Sequence, residues 1–205
     1  MTRHLRKAAL IFILLSACQI HHLSPPPRPS QSRTLSHALA PAKPNWNRRL
    51  LRAAEADDYQ AVMDALQHGA SPNTRGFYDM SPLLWAVSRR NIAMTKLLLE
   101  HGADPNQPKK DRVPPVFLAA MSGDLALTTL LVERGADVTR PGENGQTPLL
   151  WVAFYGHVSV ADYLVQHGAY VNAIDRFGQT PLFMAERQHH NDMISFLTSH
   201  GATKR

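Results

Sequence analysis

The chain is poor in the residues that staple or catalyse. It has a single cysteine in 205 residues, Cys18, so no disulfide can form within it, and stability has to come from packing. Acid is missing from the first 54 residues. Nine of the 22 Lys and Arg lie there, leaving 13 bases against all 16 acids in the remainder. The formal charge of +6 therefore belongs to the head of the chain, and the body is mildly acidic. That argues against nucleic acid as a partner, because binding it needs a basic face on the folded part. Long apolar runs are also missing. The longest, Ala8 to Leu15, falls well short of the roughly 20 residues that cross a bilayer. Motifs that carry chemistry are absent too: there is no Gly-rich phosphate loop, no Gly-x-Ser-x-Gly and no His-Glu-x-x-His. These absences predict a protein that is not an enzyme and carries no metal or cofactor.

What is present begins with an export pattern. Arg3, Arg6 and Lys7 precede the short apolar run, as in a secretory signal. Leu15-Ser16-Ala17-Cys18 then resembles the lipobox of bacterial lipoproteins. The resemblance implies removal of residues 1–17 and acylation of Cys18 with chains such as palmitate. Each buried methylene contributes ~0.8 kcal/mol, so several chains on one residue anchor stably. Gln19, rather than Asp, follows the cysteine and favours the outer membrane, with the protein facing the periplasm. Residues 18–45 are rich in Pro and Ser and lack an apolar period, so they read as a tether. Its reach is roughly 30 Å as a coil and roughly 80 Å as a polyproline-like chain. His21-His22 lies in it without further ligands at metal-binding spacing.

From residue 46 to 205 one pattern returns every 33 residues. Its opening is Ser81-Pro82-Leu83, Pro114-Pro115-Val116, Thr147-Pro148-Leu149 and Thr180-Pro181-Leu182. Its close is Gly69-Ala70, Gly102-Ala103, Gly135-Ala136, Gly168-Ala169 and Gly201-Ala202. A period of this size denotes stacked units, none of which can bury its own apolar faces. Thr147 and Thr180 are expected to cap helices whose first residue is Pro. Each glycine is expected to end a second, more apolar helix in a left-handed conformation.

These features resemble the ankyrin repeat. The resemblance implies an all-α solenoid of five helix-turn-helix repeats with short hairpin turns, bounded at about 45–76, 77–109, 110–142, 143–175 and 176–205. The end repeats carry polar outer residues (Arg48, Arg49, Asp64, Thr198, Ser199), as capping units should. The chain also departs from the family. Leu84, Phe117, Leu150 and Phe183 stand where a histidine often bonds the threonine, which predicts an apolar stack in place of that network. Arg112 stands where Gly145 and Gly178 turn the hairpin, so the Lys109–Arg112 turn is expected to take another shape.

His68, His101, His167 and His200 recur just before the closing glycine, with Arg134 in the one remaining copy, that of the third repeat. Basic groups there suit a helix C-terminus. A His-based metal-binding lipoprotein is the competing reading from another class. In ankyrin arrays partners bind the hairpin tips and the concave face of the first helices. Carried over by position, the face reads Arg52, Trp85, Leu118, Trp151 and Met184, and one helical turn on Ala56, Arg89, Ser122, Tyr155 and Gln188. Trp85, Arg89, Leu118, Trp151 and Tyr155 are thus candidate partner-binding residues; the alternative is that they only close the core. The tips add Arg75, Phe77, Tyr78, Lys109, Lys110, Arg112, Arg140, Arg176 and Phe177, either solvated turns or a basic rim that steers an acidic protein. Likeness to exported ankyrin lipoproteins implies a protein partner, for example a toxic effector enzyme such as a phospholipase held inactive by an immunity protein. Periplasmic ankyrin proteins that accompany antioxidant enzymes supply the other reading, a scaffold or helper.

Overall fold

A computed structural model describes residues 44–203. The expected signal peptide 1–17, Cys18 with its lipobox, and residues 18–43 of the tether lie outside the described residues. Among the described residues the chain forms ten α-helices and no strands. They alternate as pairs: α1 (Trp46–Glu55) with α2 (Tyr59–Gln67), α3 (Pro82–Ser88) with α4 (Ile92–Glu100), α5 (Pro115–Met121) with α6 (Leu125–Glu133), α7 (Pro148–Tyr155) with α8 (Val158–Gln166), and α9 (Pro181–Arg187) with α10 (Asn191–Ser199). This is the expected all-helical solenoid of five repeats. A short 3-10 turn, Phe77–Asp79, stands before α3.

Local chemistry sets these helices. Asn45, Asp58, Ser81, Asn91, Asp124 and Thr180 each accept a backbone N–H three residues on, and Pro82, Pro115, Pro148 and Pro181 open their helices. Each second helix ends before a glycine with φ between +82° and +94°. The core is a ladder of equivalent positions. Leu50, Leu83, Val116, Leu149 and Leu182 form one rung series and Ala65, Leu98, Leu131, Leu164 and Leu197 another, all buried. Alanines at 53, 54, 86, 119, 120, 153 and 185 are buried too, and they let the first helices pack more closely than the second helices do. The stack therefore bends towards the first-helix side.

Polar bonds tie each repeat to the next. Asn73 donates to the Gly102 carbonyl at 2.9 Å and accepts from the Asp104 N–H at 2.7 Å. Asn106 does the same with Gly135 and Asp137, and Asn172 with Gly201 and Thr203. The equivalent of these asparagines between the third and fourth repeats is Thr139. Its hydroxyl and N–H bond its own Asp137 instead, and that hydroxyl bond holds the Asp137 carboxyl below its usual range.

A second set starts each second helix. Asn91 donates to Asp57 at 2.8 Å, and Arg90 to Asp124 at 3.0 Å. In the last two repeats the position is histidine. His190 Nε2 donates to the Phe154 carbonyl at 3.0 Å, and His157 bonds the Met121 carbonyl. Each ring lies so close under Gly156 or Gly123 that a Cβ there would meet it within 2.8 Å.

Three expectations are corrected. Arg112 does take the left-handed conformation (φ +58°), and the turn does not change shape. Its hydrogen bonds, Lys109 N–H to Val113 O at 3.1 Å and Arg112 N–H to Lys109 O at 2.9 Å, repeat those of the Gly142–Gln146 turn. Together with Lys110 N–H to Tyr78 O they outweigh a left-handed penalty of about 1–2 kcal/mol. Thr147 does not cap α7 with its side chain: Leu150 N–H bonds the Thr147 carbonyl at 3.2 Å, and the hydroxyl is buried without a partner. Finally, Leu84, Phe117 and Leu150 are buried as an apolar series, but Phe183 is 47 % exposed because it is on the last repeat and nothing stacks over it.

Leu131→Ala should lower the unfolding free energy by about 2–5 kcal/mol, since its side chain is fully buried in the central repeat; chemical unfolding followed by circular dichroism measures this. A pH effect should also appear. Burial pushes the His157 pKa below its ordinary 6.5, with His190 and Arg90 adding repulsion. The neutral ring is thus the folded form, so stability is present above pH 6.5 and declines as pH falls through 6.5 towards the lowered value. His157→Gln should flatten that part of the stability–pH profile relative to the parent chain.

Candidate partner-binding surface

The first helices line the inner side of the bend and set the candidate face. Trp85 (α3), Leu118 (α5) and Trp151 (α7) are half-buried, and Trp85 and Leu118 pack against the core. Arg52 on α1 is exposed at the same position. Met184 on α9 departs from the expectation: it is only 4 % exposed. Its helix packs against α7 more closely than α3 packs against α5, and an unbranched thioether folds into such a seam.

Trp151 is the hub of an aromatic cluster. Phe117 meets it edge-on across the repeat boundary at 6.4 Å, Phe154 at 5.6 Å, and Tyr155 lies nearly parallel at 6.0 Å. The indole N–H donates to Gln146 Oε1 at 3.2 Å, which fixes the ring's rotation. Tyr155 stacks in turn on His157 at 6.0 Å, and burial pushes its phenol above its usual pKa. The structure therefore brings Trp151 and Tyr155 together and adds Phe117, Phe154 and His157. Sequence reasoning had assigned Phe117 to the stack and left Phe154 and His157 out; the signal was available in the i, i+3 and i, i+4 spacing of Trp151, Phe154 and Tyr155 along α7.

Trp85 stands apart from that cluster. The Arg89 guanidinium lies 5.9 Å from its ring centroid, and Arg89 Nη2 donates to the Glu55 carbonyl of the preceding repeat. Arg89 is thus held in place across a repeat boundary rather than free to swing.

At the tips, Phe77, Tyr78 and Phe177 are 91 %, 57 % and 65 % exposed. The basic tip residues divide. Arg75 donates to the Pro108 carbonyl at 3.3 Å and Arg140 to the Asn106 carbonyl at 3.2 Å, so both brace neighbouring turns. Lys109 is paired with Asp111 at 2.7 Å. Lys110, Arg112 and Arg176 are exposed and, among the described residues, pair with no carboxylate.

The recurrent histidines occupy helix C-caps. The Nδ1–H of His68, His101, His167 and His200 donates to the carbonyl four residues earlier at 2.7–2.9 Å. That bond satisfies a carbonyl left open at the helix end. Among the described residues no group of three or more His, Cys, Asp or Glu is placed to hold a metal ion, and no helix is long and apolar enough to cross a membrane.

No curated protein matches the chain. Comparison with known families matches ankyrin repeats, described as three copies, over residues 50–142 and again over 116–205. The two matches overlap and together cover the stack from its first core leucine onwards. The repeat length, the paired helices and this match agree, and the chain belongs to the ankyrin-repeat family, whose members act as protein–protein interaction modules.

Proposed function

We propose that the chain is a lipid-anchored periplasmic inhibitor: Cys18 fixes it to the outer membrane, and the concave face captures a toxic enzyme, such as a phospholipase effector, and holds it inactive. The observation that carries the capture reading is the aromatic cluster around Trp151, left half-open across adjacent repeats. A repeat stack needs an apolar residue at this position, and Leu118 meets that need. Two indoles there expose more apolar surface than stacking uses, and Trp and Arg are the side chains that dominate binding energy at interfaces. The anchoring part rests on the Leu15-Ser16-Ala17-Cys18 run behind a short apolar segment. A lipid anchor holds an inhibitor beside the surface that a phospholipase attacks. A scaffold for an antioxidant enzyme would use the same face without suppressing its partner.

The test is recovery of the partner by cross-linking in periplasm, followed by its enzymatic assay with and without the chain. Trp151→Ala should weaken capture by at least about tenfold while leaving the helical spectrum intact. Cys18→Ser should release the chain from the membrane fraction and abolish fatty-acyl labelling. A partner whose activity is unchanged when bound would replace inhibition with the scaffold role. Charge reversal at Lys109, Lys110 and Arg112 should slow association at low salt and leave dissociation nearly unchanged, as measured by surface-immobilised kinetics. An unaltered association rate would remove the steering rim.

A further inference from the structure

The groove has a second feature at its amino-terminal end, distinct from the aromatic cluster. Arg48, Leu51, Arg52 and Glu55 lie at i, i+3, i+4 and i+7 on α1 and so share one face. That face, the Gly76–Phe77 turn and Trp85 border an open cleft of about 400 Å³. Its walls are apolar: Leu51 and Trp85 are half-buried, and Phe77 stands almost fully out of the fold. Gly76 keeps its floor open. Its φ of −105° is one that any residue adopts, but an added Cβ would come within 3.3 Å of Leu51 Cδ2. The mouth is basic. Arg48 and Arg52 are exposed and, among the described residues, pair with no carboxylate, including that of Glu55. The Glu55 carbonyl is taken by Arg89, whose guanidinium adds a third positive charge beside Trp85.

We infer that this cleft takes an acidic side chain and the apolar side chain next to it from a partner polypeptide that runs along the groove. The carboxylate sits between the Arg48 and Arg52 guanidiniums, and the apolar group enters between Leu51, Phe77 and Trp85. Charge complementarity selects the acid, since two unpaired guanidiniums outnumber the single Glu55 carboxylate. The apolar walls select a polypeptide over an inorganic anion or a lipid headgroup, neither of which would use Phe77 and Trp85. Trp85 lies on both the cleft and the concave stripe that continues to Leu118 and Trp151, so one extended chain can occupy both. The inference rests on the concave-capture reading and names the chemistry of what is captured.

The experiment is selection of dodecapeptides from a random displayed library on the full chain, then titration of the synthesised winners at low and high salt. Winners should carry Asp or Glu beside an apolar residue. The Arg48→Gln/Arg52→Gln pair should weaken them about tenfold at low salt and less at high salt. Gly76→Val, which fills the floor, should weaken them without abolishing the salt dependence. Circular dichroism confirms that each variant keeps its helices. Winners with neutral or basic character, or affinity unchanged in the arginine double variant, would overturn the inference. If affinity falls with Trp151→Ala but not with the arginine variant, groove capture stands and the cleft assignment fails. If the reverse holds, the cleft stands and capture at Trp151 fails. Absence of any peptide binder, with arginine-dependent binding to phosphatidylglycerol vesicles instead, would assign the basic mouth to lipid and overturn both.

Discussion

No repeat of this chain can cover its own apolar faces, and everything else in the structure follows from that. The buried leucines at 50, 83, 149 and 182, and those at 98, 131, 164 and 197, belong to one core that runs through all five repeats. Stability is therefore a sum over joints, and each joint is a separate physical object. The closer packing of first helices than second helices is a consequence of where alanine is placed, and it bends the stack so that the first-helix face is the hollow one.

The joints are not equal. Those between the first and second, second and third, and fourth and fifth repeats carry an asparagine clamp from Asn73, Asn106 and Asn172. The joint between the third and fourth lacks it, because Thr139 is turned inward onto Asp137. Besides its core packing, that joint carries the Phe117–Trp151 contact and the His157 ring under Gly123. The same aromatic side chains form the candidate partner surface. The candidate surface thus lies at the one joint, among the described residues, that lacks the asparagine clamp.

Much of the fold was legible because the period is a backbone property: glycines and prolines recur where helix ends demand them, and leucines recur where the core does. What stayed hidden depends on neighbours. Asn73, Asn106 and Asn172 also recur at multiples of 33, yet their meaning lies in the carbonyl each one reaches in the next repeat. His190 stands in the turn between α9 and α10, and only the fold shows that its ring bonds Phe154 of the preceding repeat. Arg112 misled because residue preference for a left-handed turn was weighed without the hydrogen bonds that hold it. Phe183 misled because the last repeat has a neighbour on one side only, and Met184 because its helix packs unusually closely against the one before it. Of the candidate surface, the positions of Trp85, Leu118 and Trp151 followed from the period, while the clustering of Trp151 with Phe117, Phe154 and His157 did not.

Magnitudes decide how much surface a partner must cover. Aromatic side chains bury about 150–250 Å² each, so covering the open half of Trp85, Trp151 and Tyr155 removes about 300 Å² of apolar area from water. At about 25 cal/mol per Å² that contributes about 7 kcal/mol. Association itself costs about 4–15 kcal/mol before any contact is counted, and nanomolar binding needs about 12 kcal/mol net. The concave stripe alone therefore cannot give tight binding. The exposed tip aromatics Phe77, Tyr78 and Phe177 offer a comparable area again, and the unpaired Lys110, Arg112 and Arg176 stand beside them. Tight capture requires one partner surface that enters the hollow and also rests on the tips, which a folded protein with a protruding segment can do and a small ligand cannot.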